Sequence, residues 1–174
     1  MKIKNSDIIA LVKLFFTDML TQSVQYTYEA NTVMSKNLFN LREAYQEILS
    51  VEKELLELQS SEEHQKSMSS LIDLVKDDHL EKDVEGNLVK DPTGLGKIIP
   101  GHEGEVLKIK NDFSENSEYA DFIKYLKSVE EHYRNTISGY SDYDFEKISI
   151  KDINYDNLKL SNYQWQVLSV LVDM

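Results

Sequence analysis

The chain has 174 residues, a formal net charge of −12, four histidines and no cysteine. That length suits a single domain with a real core, and the missing thiols exclude disulfides, thiolate zinc sites, iron–sulfur clusters and a cysteine nucleophile. Phosphate backbones repel so acidic a surface, so direct nucleic-acid binding is not expected.

Residues 1–4 alternate polar and apolar side chains, the pattern of a short edge strand. Asn5 or Ser6 then suits a helix cap, with Asp7 in the first turn. Ile8, Ile9, Leu11, Val12, Phe15, Phe16, Met19 and Leu20 make a broad apolar face, the most hydrophobic of the chain. Phe15 and Phe16 are expected in the core, together with Leu126 and Trp165 further on. Asp7 and Lys13 break the apolar run, so this start does not read as a secretory signal. No stretch approaches the length of a membrane span. The expectation is a soluble, intracellular protein.

Residues 28–58, YEANTVMSKNLFNLREAYQEILSVEKELLEL, predict one long helix with no Pro or Gly in it. Met34, Leu38, Leu41, Tyr45 and Ile48 recur at steps of four and three, and Val51, Leu55 and Leu58 continue the face with a small shift. Such a stripe must be buried. It is long for a domain of this size, which predicts a homo-oligomer seam through Met34, Leu38, Leu41, Tyr45, Ile48 and Leu55. The competing reading is an ordinary core face.

Ser60 followed by Glu63 has the form of a capping box, so a break and a new helix to about Lys76 are expected. Residues 77–111 hold both prolines and five of the six glycines. Residues 84–89 read as strand, tight turn, strand, and residues 97–99 and 106–110 as further short strands. Ser114 and Ser117 are candidate caps of the next helix, which carries Tyr119, Phe122, Ile123, Leu126, Val129 and Tyr133 and ends at Gly139. Residues 145–150 alternate and predict a strand. Ser161 caps a last apolar helix over 163–172. The sum is an α+β domain of residues 1–174, mainly helical, with a long central helix and a small antiparallel sheet from 80–110 and 145–150. Within it, 1–76 is the helical part, 77–112 a hairpin region and 113–174 a helix–strand–helix part.

Catalytic patterns are missing. Gly94-Leu95-Gly96-Lys97 lacks the glycine and the Ser or Thr of a phosphate-binding loop, and reads as a turn. Glu81, Asp83, Glu85 and Gly86 match the first positions of a calcium loop, but Pro92 stands where the bidentate Glu belongs. No nucleophile elbow or Ser-x-x-Lys motif occurs. His64, His79, His102 and His132 form no His-Glu-x-x-His pattern, and each stands beside an acid in sequence. They read as surface histidines, with one alternative: a fold that gathers Asp78, His79, His102 and Glu103 into a metal or acid–base site. No catalytic, cofactor or metal site is assigned from the sequence.

Recognition is the remaining chemistry. The ten tyrosines fall mainly at 26–28 and 119–163. Tyrosine supplies apolar area and a hydrogen bond at low entropic cost. Tyr140, Asp142, Tyr143, Asp144 and Glu146, with Glu54 and Glu57 of the long helix, are the candidate partner-binding residues.

The order of parts carries a resemblance. A Lys-rich start with a capped helix precedes Met34-Ser35-Lys36-Asn37-Leu38 and a long Glu/Lys helix. A Glu-Gly-Asn turn follows, then a strand, Asn-Leu-Lys-Leu-Ser161 and an apolar helix. This resembles a family of small, functionally uncharacterised proteins of tailed bacteriophages of low-GC hosts. The resemblance implies a phage gene product made in a bacterial cytoplasm and transfers no active site. The function expected is non-enzymatic binding of a host or phage protein, with inhibition of a host defence factor as one form of it. A virion structural or assembly component, and a small-molecule (nucleotide-like) binder or enzyme, are the alternatives.

Overall fold

The computed structural model describes residues 1–17, 25–92, 94–154 and 160–173. These residues form a mainly helical α+β fold built around a long helix. Its α-helices are α1 (Asn5–Val12), α2 (Tyr28–Gln59), α3 (Glu62–Val75), α4 (Glu103–Asn116), α5 (Ala120–Ser138) and α6 (Asn162–Leu168). The strands are two residues each: β1 (Gln25–Tyr26), β2 (Ile148–Ser149), β3 (Ile153–Asn154) and β4 (Val172–Asp173). The chain divides into two compact units, Met1–Glu52 with His132–Met174, and Lys53–Glu131.

In the first unit, α2 supplies the central stripe. Its buried residues are Ala30, Met34, Asn37, Leu41, Ala44 and Ile48, again at steps of four and three. Leu38 and Tyr45 flank that line and are only partly buried. Ile8, Leu11, Leu14 and Phe15 of the first helical stretch, Phe145 and Ile148, and Leu168, Leu171 and Val172 complete the core. Of the residues read as an oligomer seam, Met34, Leu41 and Ile48 are covered by the chain's own core. Leu55, in the second unit, is half-buried.

The start of the chain departs from expectation in two ways. Lys4 stands at the N-cap of α1 without a side-chain cap, while the Asn5 amide donates to the Thr136 carbonyl at 2.6 Å. After Val12 the helix widens into a π-helical turn, Lys13–Thr17. Phe15 is buried, but Phe16 is 39% exposed, with the Arg42 guanidinium 5.4 Å from its ring centre. Met19 and Leu20 lie outside the described residues. Trp165 is half-buried at the edge of the core rather than inside it.

The small antiparallel sheet expected from 80–110 and 145–150 is not formed. Ile148–Ser149 pairs in parallel with Val172–Asp173. A separate antiparallel pair joins Gln25–Tyr26 to Ile153–Asn154. The last helix stops at Leu168, behind a complete Ser161/Gln164 capping box, and the chain then turns into β4.

The second unit holds the end of α2, α3, the segment after it, α4 and the first part of α5. Its core holds Leu71, Val75, Leu80, Leu95, Val106 and Phe113. The break after α2 falls as expected, but Ser61 rather than Ser60 is the cap, accepting from the His64 amide at 3.1 Å. The Ser60 hydroxyl instead donates back to the Leu56 carbonyl. Residues 79–83 run between two partners. Glu81 N donates to Lys97 O, Ile99 N to His79 O, and Val89 N to Glu81 O, at 2.8–2.9 Å. Only isolated bridges result, Leu80 with Ile98 and Lys82 with Leu88, so the expected hairpin is a turn without a ladder. Gly96 is required there: its φ is +105°, and a Cβ would sit 3.2 Å from Leu80 Cδ1. Residues 106–110, read as a strand, are helical. Val106, Ile109 and Phe113 meet the core at steps of three and four, a period that the short run Val-Leu-Lys-Ile-Lys conceals.

Three truncations gauge this core in urea unfolding. Leu41→Ala should cost about 2–5 kcal/mol and Phe15→Ala about 3–5 kcal/mol, whereas Phe16→Ala should cost only about 1 kcal/mol. An equal loss at Phe15 and Phe16 would contradict their placement.

Candidate functional site

The aromatic–acidic run 140–146 is a segment that bends at Asp142 and Tyr143 and whose burial alternates. Ser141 and Phe145 are buried and Tyr143 is half-buried, while Asp142, Asp144 and Glu146 are exposed, together with Tyr140 at 61%. The three acids are therefore all open to solvent within five residues. The segment is held from both flanks. Ser141 N donates to Ile3 O at 2.8 Å and Phe145 N to Met1 O at 2.9 Å. From α2, the Asn40 amide donates to Asp144 O at 2.7 Å.

Asn37 makes the strongest tie. Its side chain is fully buried; Nδ2 donates to Glu146 O at 2.7 Å, and Oδ1 accepts from Glu146 N at 3.1 Å. One amide thus satisfies both backbone groups of a single residue. The clamp sets the segment beside Glu43 and Glu47 of α2. The Tyr143 hydroxyl donates to Glu47 Oε1 at 2.9 Å, and this bond to a carboxylate, helped by the charges of Glu43 and Asp142, raises its pKa above the ordinary tyrosine value. Lys36 pairs with Glu146 and holds its carboxyl below the usual glutamate range. Lys2 lies 4.0 Å from Asp144. Five carboxylates, those of Glu43, Glu47, Asp142, Asp144 and Glu146, therefore share one region with two lysines.

Glu54 and Glu57 belong to the second unit. There Glu54 accepts from the Tyr125 hydroxyl at 2.6 Å, and Glu57 lies 3.6 Å from Lys53. Asp83 is engaged by its own turn, accepting from the Glu85 and Asn87 amides at 2.9 Å, so the partial calcium-loop pattern serves the backbone.

Two histidines, read from the sequence as surface side chains, meet in the second unit. His79 Nδ1 and His102 Nδ1 are 3.1 Å apart, with ring centres at 5.3 Å. Both rings are half-buried. Glu105 Oε2 lies 3.5 Å from His79 Nδ1. Glu103, the acid considered beside His102 in the sequence, turns away and accepts from Gly101 N at 2.9 Å. Asp78 is exposed and stands outside the group. The sequence pattern does not single out Glu105, because a strand over 106–110 hides the helix in which His102 and Glu105, three apart, share a face.

An open groove of about 770 Å³ lies between α3 and α4, lined by Leu74, Ile109, Phe113 and Tyr119 among others. Among the described residues, no helix is long and apolar enough to cross a membrane.

Two measurements probe the acidic segment. Asn37→Ala should leave the Glu146 backbone groups without this partner, costing about 1–3 kcal/mol and speeding exchange of the Glu146 amide; unchanged exchange would dismiss the clamp. Glu47→Gln should lower the Tyr143 pKa in a tyrosine-labelled NMR titration. Because the folded value is the higher one, the contact contributes fully below the unfolded tyrosine pKa and fades as pH rises through the folded value.

No protein-family model, curated protein or solved structure matches this chain.

Proposed function

We propose that this protein is a non-enzymatic binding protein that engages a basic protein surface through residues 140–146 and the adjoining acids of α2. The observation that carries this reading is the alternation of the clamped segment. Asp142, Asp144 and Glu146 are exposed while Ser141 and Phe145 are buried beneath them. A surface fixed before binding loses little entropy on association. Opposite charge speeds encounter, and the exposed ring of Tyr140 supplies the apolar area that slows departure. Following the resemblance to phage proteins, the setting is the cytoplasm of an infected bacterium, and the partner is a host factor, a defence component among the candidates.

The test is capture from bacterial lysate by wild-type protein and by the reversal Asp142→Lys/Asp144→Lys/Glu146→Lys, with Tyr140→Ala as a second variant. Circular dichroism checks that each is folded. A specific partner should be lost with the charge reversal and weakened at roughly 0.5 M salt, where screening is strong. Tyr140→Ala should quicken its dissociation. Identical capture by wild type and reversal would reject this surface.

A further inference from the structure

The chemistry left over lies where α3 ends and α4 begins. We propose that His79, His102 and Glu105 form a binding site for a divalent transition-metal cation, with zinc the best fit. The site ties residue 79 to the first turn of α4 across the intervening glycine-containing segment.

The distances fit a coordination polyhedron. A tetrahedral zinc with ligands at roughly 2.0–2.2 Å separates neighbouring donor atoms by about 3.3–3.5 Å. The two His79 edges are 3.1 Å to His102 Nδ1 and 3.5 Å to Glu105 Oε2. All three donor atoms lie within 4.8 Å of one another. The Glu105 side chain is 66% exposed, so a small rotation is free to close the third edge. Imidazole nitrogens select zinc, nickel, cobalt or copper over magnesium and calcium, which prefer oxygen ligands. Three protein ligands leave a fourth position for water.

The backbone places both histidines independently of a cation. Ile99 N donates to His79 O at 2.9 Å, and His102 N to Ile99 O at 3.0 Å. The intervening Pro100-Gly101 has the form of a type II turn, with Gly101 at φ +92°, which favours glycine. His102 follows as the N-cap of α4, and Glu105 N donates to His102 O at 3.1 Å. The site is therefore largely preformed, which lowers the cost of filling it. Without a cation, one Nδ1 must donate to the other, a single neutral hydrogen bond in the same place.

The experiment titrates zinc chloride into untagged, chelator-treated full-length protein by calorimetry. Wild type should bind one ion per chain. His79→Gln and His102→Gln should each weaken binding by about tenfold or more, and Glu105→Gln by less. His64→Ala and His132→Ala serve as controls and should leave binding unchanged. Zinc in roughly hundredfold excess over Kd should raise Tm by about 5–10 °C in wild type and not in the His79→Gln/His102→Gln double variant. Magnesium should not substitute. If the histidine variants fail to fold, cobalt(II) added to wild type decides: strong visible absorption of a four-coordinate ion supports the site, and the weak spectrum of the aquo ion rejects it. Zinc binding that persists in the double variant, or no binding by wild type at about 100 µM zinc, would reduce the pair to a histidine–histidine hydrogen bond.

Discussion

Asn37 sets the constraint on which the first unit turns. It occupies a fully buried place in the stripe of α2, between Met34 and Leu41. A primary amide taken out of water without partners loses far more than a methyl group gains. Its partners are the N–H and C=O of Glu146, more than a hundred residues away in the chain. That contact fixes the register of residues 140–146 along α2. The alternation of the segment then determines that Phe145 enters the core and the acids face out. Residues 1–3 line the other side of the same segment, and β2 follows it directly. The parallel pairing with β4 is thus reached from a segment whose position one side chain already specifies.

The second unit obeys a different logic. Its hydrogen bonds between residues 79–83, 87–89 and 97–99 are too few and too interrupted to make a sheet. Isolated bridges of this kind are held by what packs beneath them, here Leu80 and Leu95 in the core with Val75 and Val106. Sharp turns at Gly86, Gly94 and Gly101 allow the path. The same turn chemistry that shortens the strands brings His102 against His79, so the histidine pair is a by-product of how the chain returns to start α4.

The acidity is not one field. Some carboxylates are tied locally, as in the Lys66–Glu62 pair on α3 and the Lys76–Asp73 pair at its C-terminal end. Exposed pairs of this sort add little stability, and their role is mostly to keep the surface solvated. Residues 142–146 differ because the backbone that carries the acids is itself anchored. Charges on a fixed scaffold keep their spacing, which is what a complementary surface can read.

Much of the helical frame was legible in the sequence, because its signals are local. The long uninterrupted helix, the break near Ser60 and Ser61, the stop at Gly139 and the Ser161 cap each depend on a few neighbouring residues and on backbone geometry that any context preserves. The aromatic–acidic run was visible as composition, and the possible meeting of His79 with His102 was visible as proximity of turns. The sequence by itself thus determined the extent of the long helix, the break after it, the stop at Gly139 and the start of the last helix, and which residues had chemistry to offer. The tertiary structure alone decided the rest. Asn37 and Ala44 take the buried line in place of Leu38 and Tyr45, because a distant backbone satisfies one and close packing suits the other. Phe16 stays outside while Phe15 goes in. Residues 106–110 are helical, Ile148–Ser149 pairs in parallel with Val172–Asp173, and Glu105 replaces Glu103 beside the histidines. Each of these outcomes depends on a partner far away in the chain, and a hydrophobic period or a neighbouring acid carries no record of that partner.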